Sequence, residues 1–131
     1  MLEVAAALIY NEKGEILICQ RPEGKNCALL WEFPGGKQEL GEALTDCLIR
    51  ECREELNIEL AIEKEITETT YPYPAFTVHL TFYQAKIISG EPEKKEHHDI
   101  RFVQLHDLPE YAFCPADAAV LGLLMQKSRE V

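Results

Sequence analysis

The stretch from Gly36 to Ile58 constrains this 131-residue chain more than any other. Within it, Glu51, Glu54 and Glu55 are spaced i, i+3, i+4, while Leu44, Leu48, Cys52 and Leu56 recur at helical intervals with Ile49 on one flank. Together these patterns predict a helix over 43–56 that buries an apolar stripe and turns its acids toward a different face. Like charges at such spacings repel and cost helix stability. The run holds six carboxylates, and three clustered beside Arg50, behind a glycine pair, suit a hard cation. Oxygen ligands favour Mg²⁺ or Mn²⁺ over zinc. A solvated glutamate-rich face would show the same spacing, so the trio alone does not decide.

The remaining chain reads as strands and turns around that helix. Residues 4–10 form an apolar run, Asn11-Glu12-Lys13-Gly14 a hairpin turn, and 15–21 a second strand. A polar loop over 22–28 leads to a short strand at 29–33, stopped by Pro34-Gly35-Gly36. Asn57 falls just past the helix, where a left-handed residue is favoured. Strands follow at 58–70, 76–88 and 100–105, separated by Tyr71-Pro72-Tyr73-Pro74 and by an exposed charged segment, 93–98, that includes His97 and His98. Pro115 opens a C-terminal helix over about 116–127 with Val120, Leu121, Leu124 and Met125 buried. Strands and helices mix without βαβ alternation, which predicts one α+β domain over 1–131, an α/β/α sandwich built on a mixed sheet.

Charge limits the partners. A formal net charge of −10 repels nucleic-acid backbones and anionic membranes, so neither a polymeric nucleic acid nor a membrane is expected. A small phosphorylated molecule remains compatible if a divalent ion offsets its charge. The five cysteines include no C-x-x-C pair. They read as reduced thiols of a cytoplasmic protein. The amino-terminal apolar run lacks a basic flank and breaks at Asn11, so it reads as a strand rather than a signal peptide.

Gly36, Glu42, Arg50-Glu51, Glu54-Glu55 and Ile58 resemble the Nudix box, G-x5-E-x7-R-E-U-x-E-E-x-G-U with U aliphatic. Every charged position matches. Cys52 departs at an aliphatic position, and Asn57 replaces a glycine; asparagine is the residue that next best tolerates a left-handed backbone. The approach Leu30-Trp31-Glu32-Phe33-Pro34-Gly35-Gly36-Lys37, the amino-terminal hairpin and the closing FCPADAAVL segment look like the MutT-like branch of nucleoside triphosphate pyrophosphohydrolases.

The resemblance implies a Nudix-type mixed sheet flanked by the box helix and a C-terminal helix. It also implies hydrolysis of a triphosphate between its α and β phosphorus, yielding a monophosphate and pyrophosphate. By position, Gly35 (through its carbonyl), Glu51, Glu54 and Glu55 would bind Mg²⁺, Arg50 would orient Glu51, and Glu54 would position or deprotonate water. Glu96, in competition with Asp99, would add an acid from the loop before the last strand; its plain reading is a surface charge. Arg21 and Lys37 would contact phosphate or simply face solvent. Phe33, Phe76, Leu80 and Ala118 would wall the base. Asp117 would read the base edge, or else serve as a first-turn acid. An ionised carboxylate only accepts hydrogen bonds, which favours a guanine-type edge such as that of 8-oxo-dGTP, while relatives with a similar PAD segment act on CTP or 5-methyl-dCTP.

Other readings stay open at this stage. ADP-ribose or a dinucleoside polyphosphate could be the substrate of the same fold. A nucleotide-binding module would have no reason to retain the repelling acids. A Ca²⁺-binding domain would need a D-x-D-x-D-G loop, which is absent from the sequence. Monomers are common in the branch, so a monomer or weak homodimer is expected.

Overall fold

The computed structural model describes residues 1–129. Its strands divide into two sheets. β1 (Leu2–Ile9), β4 (Gly35–Lys37), β5 (Glu59–Pro72) and β6 (Thr77–Ser89) form one, in the order β4-β1-β6-β5. β2 (Ile16–Gln20), β3 (Trp31–Glu32) and β7 (Asp99–Val103) form the other, in the order β3-β2-β7. The larger sheet is mixed: β1 runs parallel to β6 and antiparallel to β4.

Alternation along the central strands explains the layering. Ala5, Ala7 and Ile9 of β1 and Leu17 and Cys19 of β2 point into a core shared with Cys47, Leu48, Cys52 and Leu56 of the box helix α1 (Leu44–Leu56). Ala6, Leu8, Ile16 and Ile18 point the other way, into a core with Val120 and Leu124. Both faces of these strands are therefore covered, and their sequences are continuously apolar rather than alternating. The α+β sandwich and the mixed sheet expected from the sequence are present.

Several details differ from expectation. The turn at 11–14 forms, with Asn11 Oδ1 accepting from the Lys13 and Glu15 amides at 3.0 and 2.9 Å. Its flanking strands then diverge after a single bridge, Tyr10 to Ile16, and enter different sheets. Gly35 and Gly36 are themselves strand residues, paired with Ala6 and Ala5. Tyr71 and Pro72 continue β5 rather than opening a loop. The last strand ends at Val103 and a 3-10 turn, Leu105–Glu110, follows.

The predicted C-terminal helix is two pieces, α2 (Pro115–Ala118) and α3 (Leu121–Arg129). Val120 and Leu124 are buried and Leu121 and Met125 half-buried. Asn57 closes α1 in the left-handed conformation, φ 57° and ψ 42°, as its position required. All five cysteines are free, and all but Cys27 are buried. No helix among the described residues is long and apolar enough to cross a membrane.

Candidate active site

Phe33 and Pro34 step from the three-stranded sheet to the four-stranded one, clipped to β1 where the Ala7 amide donates to the Pro34 carbonyl at 2.8 Å. A cavity of about 590 Å³ lies beside this crossing, lined from both sheets. Two glycines make the close approach possible. A side chain at Gly35 would collide with the backbone carbonyl of Ala5, and one at Gly36 would occupy the space of the Glu51 carboxylate. The Cys47 thiol reaches the Gly36 carbonyl at 3.5 Å, holding α1 against β4.

One wall of the cavity is acidic. Glu51, Glu54 and Glu55 line it, together with Glu96 from the loop between β6 and β7. Arg50 organises the wall from behind. Its Nε and Nη2 meet Glu42 Oε2 and Oε1 at 2.7 and 3.0 Å, and its Nη1 meets Glu51 at 2.9 Å and Glu54 at 3.4 Å. Nη2 also donates to the Lys37 carbonyl at 3.2 Å, tying β4 to the helix. The fork pulls the Glu42 carboxyl down to about 2 and raises the guanidinium in turn. Glu55 is pushed the opposite way, first by burial and then by Glu51, Glu32 and Glu96. The wall thus carries more negative charge than its cation balances.

The other wall is apolar and basic. Phe33, Phe76, Val78 and Leu80 line it, with Tyr73 beside Phe76 at a ring separation of 5.4 Å. Phe33 is also a core residue, stacked on Phe113 at 5.1 Å. Asp117 sits at the back, 8% exposed, its Oδ1 accepting the Phe33 amide at 3.2 Å. Further backbone bonds between Trp31 and residues 112 and 114 fix this segment against β3. Burial, with Glu32 nearby, drives the Asp117 carboxyl well above the usual carboxylate range. Arg21, Lys25 and Lys37 stand along the rim.

The structure therefore gathers Arg21, Phe33, Gly35, Lys37, Glu51, Glu54, Glu55, Phe76, Glu96 and Asp117 around one cavity. Arg50 stands behind them. Between the two competing acids, Glu96 lines the cavity, whereas Asp99 accepts from its neighbours, the Ile100 amide and Arg101 Nε, both at 2.9 Å. Ala118 is exposed and takes no part in the apolar wall; Ala116 does. Arg21 is not a free surface charge, since its Nη1 pairs with Glu32 Oε1 at 3.0 Å.

Two functional-looking residues escaped the sequence reading. Glu32 is an acid inside an apolar run, a pattern that signals a paired, half-buried carboxylate. His97, expected to be exposed, has a side chain only 3% exposed. Its Nε2 faces Glu32 and Glu55, which are remote in sequence.

A model of the NUDIX domain matches residues 5–123. The chain belongs to the Nudix family. It is 36% identical over 98% of its length to the 8-oxo-dGTP diphosphatase of Haemophilus influenzae, 94% of which is covered. It is 34% identical over 95% of its length to the CTP pyrophosphohydrolase of Escherichia coli, 92% of which is covered. Its fold matches the crystal structure of the MutT protein from Methanosarcina mazei with a TM-score of 0.83 and 25% identity, over 98% of this Nudix chain and 94% of that one. The chain is a MutT-like Nudix hydrolase, and Nudix hydrolases generally need a divalent metal and act on small nucleotides.

The donor set fits such a metal in its chemistry: carboxylate oxygens and a carbonyl along one wall, where burial and then the neighbouring carboxylates raise the Glu55 carboxyl. Among the described residues, however, the set of three donor side chains drawn within 4.8 Å of one another is Glu32, Cys114 and Asp117, not the box trio. Arg50 draws Glu51 and Glu54 toward itself, and Glu54 is 59% exposed. Glu32 and Asp117 already have structural partners in Arg21 and the Phe33 amide.

Proposed function

We propose that this protein hydrolyses nucleoside triphosphates, with Mg²⁺, to a monophosphate and pyrophosphate, and that it clears oxidised or non-canonical nucleotides such as 8-oxo-dGTP. The carrying observation is that one cavity joins an apolar wall with a buried hydrogen-bonding acid to a wall of box carboxylates. A base fits the first and a phosphate chain the second. Gly35, Glu51, Glu54 and Glu55 would hold the metal, which when bound would neutralise phosphate charge and make a water more acidic.

The side chains divide the remaining work. Arg50 keeps Glu51 aimed at the cavity. Glu54 is the most open of the trio, with a single long contact to Arg50, and it positions the attacking water and takes its proton. Glu96 completes the acidic wall from the opposite loop. Arg21 and Lys37 attract the phosphates, and Phe33 and Phe76 flank the base. A single domain that is a monomer or weak homodimer is the assembly this reading takes. Five unpaired thiols support a reducing, cytoplasmic setting.

A second substrate reading has its own observation. Burial favours the neutral form of the Asp117 carboxyl, and a neutral carboxyl can donate as well as accept. A neutral acid matches the donor–acceptor edge of cytosine, which an ionised one would oppose. CTP or 5-methyl-dCTP therefore stands beside 8-oxo-dGTP. Incubation with 8-oxo-dGTP, dGTP, CTP, 5-methyl-dCTP, ADP-ribose and Ap4A, with and without Mg²⁺, tests both readings. Metal-dependent pyrophosphate release from a triphosphate is expected. Turnover of ADP-ribose or Ap4A alone would refute the assignment.

A further inference from the structure

His97 is the buried residue in a segment, 93–98, whose other members are exposed. The next backbone amide, that of His98, donates to the Gln20 carbonyl at 2.8 Å and fastens the loop to β2. The imidazole points inward, and its Nε2 lies 3.4 Å from Glu32 Oε2 and 3.9 Å from Glu55 Oε2. Its Nδ1 is buried with no hydrogen-bond partner among the described residues. A polar atom so placed is a cost to the fold, and Nδ1 does nothing to fix the ring. The polar neighbours of the ring are the two carboxylates that face Nε2.

The charge layout shows what those contacts serve. Arg50 attends Glu42, Glu51 and Glu54, and Arg21 attends Glu32. Among the described residues, neither arginine forms an ion pair with Glu55; the basic side chain that meets it is His97. We propose that His97 is a positioning residue: through Nε2 it fixes the Glu55 and Glu32 carboxylates and locks the β6–β7 loop, with Glu96, against the metal-holding wall. In this role Nε2 carries the ring proton and attracts both carboxylates electrostatically, Glu55 at 3.9 Å lying beyond hydrogen-bond reach. The inference rests on the reading of Glu55 as a metal ligand.

The test compares variants with and without a donor where Nε2 stands. His97→Leu fills apolar space and donates nothing, while His97→Gln places an amide N–H near the same point. Mn²⁺ uptake, read from the electron paramagnetic resonance of the free ion, is measured alongside the kcat and KM of triphosphate hydrolysis. Mn²⁺ affinity of His97→Leu should fall at least about tenfold, as expected for partners that orient metal ligands. The triphosphate KM at saturating metal should move little, and His97→Gln should recover most of the affinity. An unchanged affinity in His97→Leu, or equal losses in both variants with intact melting curves, overturns the proposal. Should His97→Leu fail to fold, His97→Gln decides: near-wild-type Mn²⁺ affinity supports the role, and a tenfold loss rejects it. Wild-type protein that neither takes up Mn²⁺ nor releases pyrophosphate brings down the reading of the site as well. Wild type that does both, beside an unaffected His97→Leu, removes the role of His97 alone.

Discussion

Arg50 grips Glu42 with both edges of its guanidinium, Nε to Oε2 at 2.7 Å and Nη2 to Oε1 at 3.0 Å. The pair lowers the Glu42 carboxyl to about 2 in the folded state, against about 4.3 in an unfolded chain. A depressed carboxylate stabilises the fold above its unfolded value and loses that contribution as pH falls toward its folded one. Thermal melts should therefore show wild type above Glu42→Gln at pH 6, with the gap narrowing below about pH 4.5 and closing near pH 2. A gap that stays constant with pH would exclude the ion pair as its source.

The two glycines should fail differently. Gly35 faces the unyielding backbone of Ala5, whereas Gly36 faces the Glu51 side chain. Gly35→Ala is expected to cost stability, about 1–3 kcal/mol by the usual toll of overpacking. Gly36→Ala displaces the Glu51 carboxylate, proposed as a metal ligand, and should lose about 10²-fold in activity with a smaller change in melting temperature. Denaturation curves and kcat/KM for the two variants separate the effects.

Glu54 is the carboxylate assigned to the water. Glu54→Gln should lower kcat by about 10²- to 10⁴-fold, the range for removing a general base. Its half-exposed position predicts an unchanged circular dichroism spectrum. A fully active Glu54→Gln would transfer the role elsewhere.

Asp117 anchors the Phe33 amide and lines the cavity where the base is proposed to sit. Asp117→Asn fixes which atom donates and which accepts. The ratio of kcat/KM for 8-oxo-dGTP over CTP should then change by about tenfold or more, in keeping with the value of a well-placed polar contact. An unaltered ratio would leave Asp117 as a clamp on β3 only.

Chelation offers a direct check. Treatment with EDTA should abolish pyrophosphate release, and added Mg²⁺ should restore it. Activity that survives exhaustive chelation would contradict the role given to the acidic wall.

Local patterns in the sequence carried much of this. The 3.6-residue spacing of Leu44, Leu48, Cys52 and Leu56 marked α1 to within one residue, and the left-handed stop at Asn57 followed from backbone sterics. The acids of that helix were legible for the same reason. Partnerships between distant strands were not. Residues 4–10 and 16–19 are apolar on both faces, so alternation could not show which sheet each would join. The burial of His97 was equally hidden, because its neighbours in sequence are polar and its neighbours in space arrive from β3 and α1. The break between α2 and α3 left no mark in the apolar spacing of Val120, Leu121, Leu124 and Met125.

The withdrawn sulfurs have a chemical consequence. Burial raises Cys19 and Cys52 far above a free thiol, and Cys47 to about 11. Peroxide attacks the ionised form of sulfur, and these three stay protonated on the buried face of α1 and on β2 beneath it. An enzyme with the proposed function, clearing oxidised nucleotides, would have to keep operating during the stress that creates them. With this arrangement a peroxide burst finds little to attack in the core that seats α1 and its acids.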